Sequence, residues 1–385
     1  MNTPNPVRDA DLIILGGGCA GLSLATNLVL AKPSSRVLIV EPRTAYLEDR
    51  TWCGWRLAPH LFQDCAVMEW PQWRVITDSK TVECGALYPY EMVRSDLFYA
   101  KASEVIRNSR ACSILHGVSA DKCTSSATTV RVALSDGSTA EAPWVIDTRP
   151  QKQTLRAPWL WQHFLGFVVE FDSALKNSLG QVPTLMDFQP RDHCVAQFMY
   201  VLPISEREVL YEWTQFSDKP CDIKELETNL SNWLGSNAPP GWSVKRRESG
   251  SLPMAVCTSS QQGRVINAGT RGGSMRASSG YAFHSIQRWA EKCAAAIEKT
   301  GVPIAPERNR LLEYMDTLFM QVLQQRSCSA ADVFGALFQH CPPDALVRFL
   351  SGLPRTEDLW PVMRVLPWTR FLLAGPEAAY NWSRQ

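Results

Sequence analysis

The sequence predicts an α/β fold built around a Rossmann-type dinucleotide-binding domain, and three observations support this prediction. A glycine-rich turn joins an apolar strand to an apolar helix near the start of the chain. An acidic residue, Glu41, closes the next apolar strand at the spacing of about 20 residues that such sites show. A second glycine-rich segment, over residues 269–280, follows a short strand and opens a late helix. Together these features indicate a dinucleotide held by two distant parts of the chain.

Length and composition limit the class of protein. The chain has 385 residues, of which 45% are hydrophobic and 20% are charged, as is typical of a folded protein with a large core. This length favours two domains, or one domain with a substrate cap. Thirty-nine basic and 38 acidic residues leave a net charge of +1, which gives no electrostatic reason to expect a nucleic-acid partner.

Cysteine and histidine usage argues against disulfide and metal sites. The 12 cysteines are scattered without a C-x-x-C pair and there are only 6 histidines, so we expect no metal centre. Residues 1–10 lack the apolar core of a secretion signal, so we expect a reduced, cytoplasmic protein. No uninterrupted apolar stretch reaches the length of about 18 residues that a membrane-spanning helix needs.

The first glycine-rich turn has the G-x-G-x-x-G pattern, and each position has a mechanical reason. Gly16 permits the tight turn, Gly18 lets backbone amides approach a pyrophosphate, and Gly21 lets helix and strand pack closely. Cys19 and Ala20 complete the start of the helix, whose positive dipole end favours the pyrophosphate. This turn is therefore a candidate cofactor site.

Glu41 and the late elements favour FAD. The Glu41 carboxylate can accept hydrogen bonds from both hydroxyl groups of an adenosine ribose, and its charge repels a 2′-phosphate. Residues 142–150 predict a strand that ends at Asp147, and residues 263–270 predict a strand that leads into the late glycines. A second loop-to-helix junction suits a long cofactor whose flavin part returns to the first domain. Taken alone, the late glycines could also form a helix cap and turn.

The remaining segments complete the predicted organisation. Strand-like runs between the nucleotide-binding parts predict a mostly antiparallel sheet that covers the flavin. The last part of the chain has the apolar spacing of helices, with Leu311, Leu312, Met315, Leu318 and Phe319 expected on one face. The predicted units are an FAD-binding domain over residues 9–150 and 255–300, a substrate-binding sheet domain over residues 151–254, and a helical region over residues 301–385.

The carboxyl-terminal run over residues 359–375 mixes tryptophan, leucine, valine and phenylalanine with Arg364 and Arg370. This composition suits attachment to a membrane surface, but it also suits an ordinary docked helix. Pro361 and Pro367 are expected to interrupt any helix in this run.

Nine stretches together resemble the bacterial lycopene cyclases, which belong to the flavoprotein monooxygenase-like FAD-binding superfamily. They are GGGCAGLSL from residue 16, DRTWC from residue 49, YEMVRSDLF from residue 90, VIDTR from residue 145, QHFLG from residue 162, LMDF from residue 185, YEWT from residue 211, ESGSLPM from residue 248 and GTRGGSMRASSGY from residue 269. The matches run in order from residue 11 to about residue 290.

This resemblance implies a lycopene β-cyclase, an isomerase-type enzyme. The family closes the linear ends of lycopene into β-ionone rings with reduced FAD and no net redox change, and NAD(P)H would supply the electrons. The family's cofactor residues carry over to Glu41, Arg94, Asp147, Gly269, Gly272 and Gly273. For Arg94, plain solvent exposure on an amphipathic helix is the alternative.

Two segments depart from the family's pattern. The acidic strand motif usually carries two adjacent acids before threonine, and here Trp213 replaces the second acid. The late loop has Met275 and Ala277 where the common bacterial form has histidine and proline. The number of rings, the ring double-bond position and the substrate end group therefore stay open.

Glu212 is the candidate catalytic acid. Cyclisation needs an acid with a raised pKa, a base of matched strength and no water near the carbocation. Residues 198–202 and 208–212 predict neighbouring strands, and alternation places Leu210 and Glu212 on one face. An apolar face raises the pKa of a carboxyl group. The alternative is an edge-strand carboxylate that faces water.

Aromatic rings of the substrate domain could stabilise the cation, since their π faces attract positive charge. The candidates for this role are Trp159, Trp161, Trp213 and Trp242, and simple packing in the core is the alternative for each.

Other functions share the nucleotide motifs. A redox flavoenzyme, such as a hydroxylase or desaturase of an apolar polyene, a catalytically inactive flavin- or polyene-binding protein, and a cyclase of another polyene or terpenoid end all remain possible interpretations. Because lycopene is insoluble in water, we expect peripheral attachment to the inner face of the membrane.

Overall fold

The computed structural model describes residues 7–31, 35–78, 80–150, 157–175, 182–190, 194–256, 261–325 and 329–384. Residues 1–6, which belong to the segment where no secretion signal was expected, lie outside this part.

Seventeen strands form within the described residues. They run over Val7–Asp9 (β1), Leu12–Leu15 (β2), Val37–Glu41 (β3), Thr51–Trp55 (β4), Ala66–Thr77 (β5), Lys80–Arg94 (β6), Cys112–His116 (β7), Ala120–Ser125 (β8), Val130–Leu134 (β9), Thr139–Ala142 (β10), Trp144–Asp147 (β11), Leu160–Phe171 (β12), Thr184–Phe188 (β13), Ala196–Pro203 (β14), Glu208–Ser217 (β15), Trp242–Met254 (β16) and Val265–Asn267 (β17).

The α-helices of the described part alternate with these strands and then follow them. They run over Cys19–Leu30 (α1), Ser95–Arg107 (α2), Ile223–Asn237 (α3), Phe283–Thr300 (α4), Arg310–Gln324 (α5), Ala330–His340 (α6), Pro343–Leu350 (α7), Thr356–Val365 (α8) and Trp368–Ser383 (α9). Short 3₁₀ turns cover Gln63–Cys65 and Gly269–Gly272.

A parallel five-stranded sheet in the order β17-β11-β2-β3-β7 confirms the predicted Rossmann-type fold. Strands β2 and β3 are buried along their whole length, because helices cover one face and the small sheet β1-β10-β9-β8 covers the other. Leu12 and Ile14 face α1, α2 and α4, whereas Ile13 and Leu15 face the small sheet. Because the strands of the five-stranded sheet are parallel, the loops at their carboxyl ends lie at one edge of this sheet.

The second large sheet has eight strands in the order β16-β12-β15-β14-β13-β5-β6-β4. All its pairs are antiparallel except β13 with β5, which agrees with the predicted mostly antiparallel sheet. Strands β4, β5 and β6 belong to this sheet, although residues 51–94 were assigned by sequence to the FAD-binding domain. The long hairpin of β5 and β6 extends the substrate sheet, so the two predicted units share this segment.

Helices cover the two faces of the eight-stranded sheet. On one face, α3 packs its buried residues Leu226, Leu230 and Leu234 against Val209 and Tyr211. The carboxylate of Asp222 caps α3 by accepting a hydrogen bond from the amide of Lys224 at 3.0 Å. Helices of the carboxyl-terminal region cover the opposite face.

The carboxyl-terminal region is helical, as predicted. Leu312 and Phe319 are buried in the core of the substrate sheet, whereas Leu311, the second residue of α5, is 53% exposed. Pro361 lies inside α8 and does not end it. Among the helices of the described residues, none is long and apolar enough to cross a bilayer.

Candidate active site

The first glycine-rich turn connects β2 to α1 with the geometry that the sequence predicts. Gly16 has a φ of +97°, a conformation that side chains rarely adopt. A Cβ atom on Gly21 would lie 2.0 Å from the carbonyl oxygen of Gly16, so this position requires glycine. At Gly18 a Cβ would meet nothing within 4 Å. The open space before Cys19, where α1 begins without a side-chain cap, fits an anion.

Glu41 lies at the end of β3 and is only 3% exposed. Its carboxylate accepts hydrogen bonds from the amide of Gly17 at 2.6 Å and from Nε of Arg43 at 2.8 Å. Burial acts to raise the pKa of Glu41, but these hydrogen bonds and the charge of Arg43 hold that pKa below its usual value. Glu41 is thus an ionised group beside the glycine turn.

Arg43 is a residue of this site that the sequence analysis missed. Its guanidinium also donates to the carbonyl oxygen of Gly17 at 3.0 Å and lies over the rings of Tyr46 and Tyr99, 4.9 and 5.3 Å from their centroids. The signal in the sequence was a basic residue two positions after the strand-ending acid.

The late glycine-rich segment comes against the first turn. Gly269 has a φ of +65°, and a Cβ there would lie 3.0 Å from the Cβ of Ala20. A Cβ on Gly272 would lie 2.5 Å from the carbonyl oxygen of Asn267, and Gly273 has a φ of +81°. The fold therefore joins the two glycine-rich segments, as a cofactor bound by both would require.

Asp147 ends β11 next to this junction and is almost fully buried. Its carboxylate pairs with Arg149 at 2.8 Å and with Arg271 at 2.6 Å. The Cys19 thiol lies near the amide of Gln287, and burial raises the pKa of Cys19 to about 12, so the thiol is neutral.

Arg94 ends β6, directly before the start of α2. It pairs with Asp96 at 2.6 Å and with Glu48 at 3.3 Å, and Glu48 in turn pairs with Arg246 at 3.2 Å. Arg94, Glu48 and Arg246 therefore form a series of ion pairs that connects β6 with β16 of the substrate sheet. Its role in holding a cofactor stays a prediction.

A cavity of about 180 Å³ lies between the eight-stranded sheet and the carboxyl-terminal helices. Its wall is mostly apolar and holds Leu185, Met186, Leu210, Leu252 and Leu350. Eight aromatic rings also line it, those of Tyr90, Phe164, Phe198, Tyr200, Phe216, Tyr281, Phe334 and Phe338. Of the four tryptophans proposed from sequence, none lines this cavity among its described residues; Trp213 and Trp242 pack on the opposite, α3-facing side of the sheet. The expectation is thus corrected for Trp213 and Trp242, because strands alternate their side chains between faces, and it stays a prediction for Trp159 and Trp161.

Glu212 lies on the cavity wall, on the same face as Leu210, Thr214 and Phe216. The predicted alternation of β15 is thus confirmed. Thr214 Oγ1 donates a hydrogen bond to Glu212 Oε1 at 3.0 Å. Desolvation and the neighbouring Glu248 carboxylate raise the pKa of Glu212 to about 8. At neutral pH this group therefore holds its proton and can act as an acid.

Glu248 is a second carboxyl group of the cavity that the sequence analysis did not select, although it begins one of the family stretches. Its Oε2 accepts hydrogen bonds from Thr51 Oγ1 at 2.9 Å and from Arg246 Nη1 at 2.7 Å. Both Glu212 and Glu248 pair in register with Gly166 of β12, from its two sides.

A separate buried cluster contains His60, Glu91 and His284. The two Nε2 atoms lie 2.7 and 2.8 Å from Glu91 Oε1, and the three ligand-type atoms lie within 4.8 Å of one another. Although burial acts to raise it, hydrogen bonds from both histidines hold the pKa of Glu91 at about 2. Arg56 lies 3.3 Å from Glu91 Oε2 and opposes a bound cation. The absence of a metal site stays a prediction.

A larger cavity of about 510 Å³ adjoins the late loop at Gly273 and Met275. It is bounded by α4 and the segment before α5, and Arg288 and Lys292 contribute to its wall. Tyr281 lines both cavities, so it forms part of the partition between the late loop and Glu212.

Comparisons with known proteins agree with this architecture. The profile of the family described as "Lycopene cyclase protein" matches residues 11–373. A comparison with curated protein sequences gave no match.

Solved flavoprotein structures share the fold over nearly the whole chain. A geranylgeranyl bacteriochlorophyll reductase-like protein of Thermoplasma acidophilum has a TM-score of 0.61 at 12% identity, covering 95% of this chain and 98% of its own. The p-nitrophenol 4-monooxygenase of Pseudomonas putida has a TM-score of 0.57 at 14% identity, with coverages of 95% and 98%. A flavoprotein/dehydrogenase of Cytophaga hutchinsonii has a TM-score of 0.58 at 14% identity, with coverages of 95% and 99%.

Proposed function

This chain belongs to the lycopene cyclase protein family, and from that premise we propose that it closes the linear ends of lycopene into β-ionone rings without net oxidation or reduction. The observation that carries the proposal is the position of the Glu212 carboxyl group on the wall of an apolar, aromatic-lined cavity, where burial and Glu248 raise its pKa to about 8. A carboxyl group that keeps its proton at neutral pH in such surroundings suits the protonation of an alkene.

Glu212 begins the reaction by donating its proton to the terminal carbon–carbon double bond of the polyene. The O–H bond breaks, a C–H bond forms, and a tertiary carbocation results. The next double bond within reach attacks this cation and closes a six-membered ring, which moves the positive charge into the ring. Loss of a ring proton to a base forms the ring double bond, so the product is an isomer of the substrate.

The wall of the cavity suits this cation. Aromatic rings such as those of Phe198, Phe216 and Phe334 offer π faces without a lone pair that could bond to the cation. Leu185 and Leu210 keep water, which would trap the cation as an alcohol, from the same space. The cavity of about 180 Å³ is smaller than the pockets of 300 Å³ or more that drug-sized ligands occupy, so it fits one end of the polyene.

We propose that the two glycine-rich segments hold FAD. Glu41 would bind the adenosine ribose, the start of α1 at Cys19 and Ala20 would face the pyrophosphate, and Gly269 to Gly273 would back the flavin. The open space at Gly18 and the contact of Gly269 with Ala20 fit this arrangement. Reduced FAD, with NAD(P)H as the electron source, would supply negative charge that stabilises a cation nearby.

We further propose that the protein attaches to the inner face of the membrane through a carboxyl-terminal apolar patch. This patch is formed by Trp360, Met363, Trp368, Leu372 and Leu373. Each side chain is at least 45% exposed. Trp360 and Met363 lie three residues apart on α8, and Trp368 and Leu372 lie four residues apart on α9, so each pair shares a face of its helix. Arg364 and Arg370 are exposed beside them and suit anionic headgroups, while Ala374 and Ala378 face the protein.

Replacing Leu372 and Leu373 together by glutamate is expected to weaken membrane attachment, since the change puts two charges where apolar side chains would enter the bilayer. Co-sedimentation with vesicles that contain anionic lipid should fall about tenfold or more. The matched control is Leu30→Glu, an exposed leucine at the end of α1 that should leave co-sedimentation unchanged. Equal sedimentation of all three proteins would contradict the proposal.

The proposed function is tested with the purified, FAD-loaded protein. The protein is reduced anaerobically and mixed with lycopene in lipid vesicles, and the pigments are separated by chromatography. We expect ring-ended carotenoids of unchanged mass. Unchanged lycopene in the presence of folded, flavin-loaded protein would refute the proposal, and a product with added oxygen or additional double bonds would instead identify a redox flavoenzyme.

A further inference from the structure

Three neighbouring strands bring two carboxyl groups together in the substrate sheet. Gly166 of β12 pairs with Glu212 of β15 on one side and with Glu248 of β16 on the other. A Cβ atom on Gly166 would lie 3.1 Å from Cδ1 of Leu210, 3.3 Å from the Cγ of Glu248 and 3.4 Å from the Cβ of Glu212. Glycine at this position therefore lets the two glutamate side chains approach each other, and both line the same cavity.

The two carboxyl groups have different partners. Glu248 is hydrogen-bonded by Arg246 and Thr51, so its negative charge is stabilised. Glu212 receives one hydrogen bond, from Thr214, and no basic group among the described residues pairs with it. One site thus contains a carboxylic acid and a carboxylate, as a reaction that first gives and then takes a proton requires.

We propose that Glu248 is the base of the proposed cyclisation, and that the end group of the polyene reacts in the cavity between the donor Glu212 and the acceptor Glu248. This inference rests on the proposed function. It assigns the role of the second acidic residue to Glu248, since Trp213 stands where the family usually has that residue and its side chain lies on the opposite face of the sheet.

The proton transfers balance within the pair. Glu212 loses a proton to the terminal double bond and becomes a carboxylate. After ring closure, the ring C–H bond breaks, its electron pair forms the ring double bond, and the proton bonds to Glu248. The proton then passes from Glu248 to Glu212, which restores both groups without any outside acid or base.

The hydrogen bonds to Glu248 suit this role. A carbocation is so strongly acidic that a weak base suffices to remove its proton. A free carboxylate could instead bond covalently to the cation. Arg246 and Thr51 occupy Oε2 of Glu248 and draw charge from it, which lowers its nucleophilicity and keeps it in place.

Other ionisable groups around Glu212 have little influence on its titration. Burial raises the pKa of Tyr90, Tyr200 and Tyr281 and that of the Cys53 thiol, so all four stay neutral through the neutral range. Arg50 also lines the cavity. Among the described groups, Glu248 is therefore the main negative charge that acts on the Glu212 proton.

The test compares Glu248→Gln with the wild type in the lycopene assay. We expect turnover to fall about 10²-fold or more, because the ring proton loses its acceptor. The residual products should include rings whose double bond lies at another position. The alkaline limb of the rate profile should also shift by roughly one pH unit to lower pH, since the charge that holds the Glu212 proton is gone.

Two further variants keep the test decisive. Glu170→Gln changes an exposed carboxylate on β12, the strand between the pair, and should behave as the wild type. Glu248→Asp keeps the charge but shortens the side chain by one methylene, so it should fold even if Glu248→Gln does not, and it should still lose about tenfold in turnover. If Glu248→Gln or Glu248→Asp matches the wild type, or if activity falls with unchanged products and pH profile, the inference is overturned. An inactive wild type would refute the proposed function instead.

Discussion

Replacement of Glu212 by glutamine is expected to stop ring formation while the protein stays folded and keeps its flavin. The amide has nearly the shape of the protonated carboxyl group but cannot donate a proton of comparable acidity. Because protonation of the polyene starts the reaction, turnover should fall about 10³-fold or more. The measurement is chromatography of pigments after single incubations, together with the visible absorbance of bound flavin.

The pH dependence of the wild type follows from the same group. Since the pKa of Glu212 is raised to about 8, the rate should be constant near neutrality and fall as the pH rises through 8 and the proton is lost. A rate that rises through pH 8 would show that another group supplies the proton.

The same shift has a consequence for stability. The unfolded chain ionises this carboxyl group near its ordinary pKa of 4.5, whereas the folded chain keeps it protonated up to about 8. The contribution of Glu212 to the free energy of unfolding is therefore greatest below pH 4.5. It falls as the pH rises from 4.5 to 8 and is smallest above pH 8. Glu212→Gln should remove this pH dependence, so the melting temperature of the variant, relative to that of the wild type, should be highest in alkaline buffer.

Glu208→Gln is the matched control for Glu212→Gln. Glu208 begins the same strand, lies outside the cavity lining and pairs with Lys245. It should leave turnover and the pH profile unchanged. If both variants lose activity equally, the effect comes from β15 as a whole and the assignment of the acid is wrong.

The elements that sequence reasoning placed well are local ones. The turn at Gly16, the start of α1 and the acid at Glu41 depend on residues close together in the chain, so spacing alone predicts them. The side of β15 that carries Glu212 follows from the two-residue repeat of a strand, and an apolar neighbour at Leu210 marks the buried side.

The elements that it missed depend on pairing between distant segments. Glu212 and Glu248 come together because β15 and β16 flank β12 in one register, which a pattern within each strand cannot reveal. Trp213 was considered for the cation because it follows Glu212, yet alternation sends its ring to α3. The same limit explains why the pairing of β4 to β6 with the eight-stranded sheet was not predicted and why His60, Glu91 and His284 were not grouped.

Alanine substitutions at Gly21 and Gly18 should both abolish FAD binding, but for different physical reasons. A Cβ on Gly21 would lie 2.0 Å from the carbonyl oxygen of Gly16 and 3.1 Å from Cγ2 of Ile14, and backbone atoms cannot move aside easily. Gly21→Ala should therefore lower the free energy of unfolding by about 3 kcal/mol as well as releasing FAD. Thermal unfolding of the flavin-free protein measures the first effect and visible absorbance the second.

Gly18→Ala separates the cofactor from the fold. The backbone at Gly18 has a φ of −84°, which alanine adopts freely, and its Cβ would meet no protein atom within 4 Å. The flavin-free variant should thus melt like the wild type, while the new methyl group occupies the space that the pyrophosphate needs. Gly235→Ala, an exposed position in α3 with equally open surroundings, controls for the substitution itself. Full flavin retention by Gly18→Ala would mean that the cofactor does not approach the start of α1, and the proposed FAD site would have to be abandoned even if Gly21→Ala unfolds.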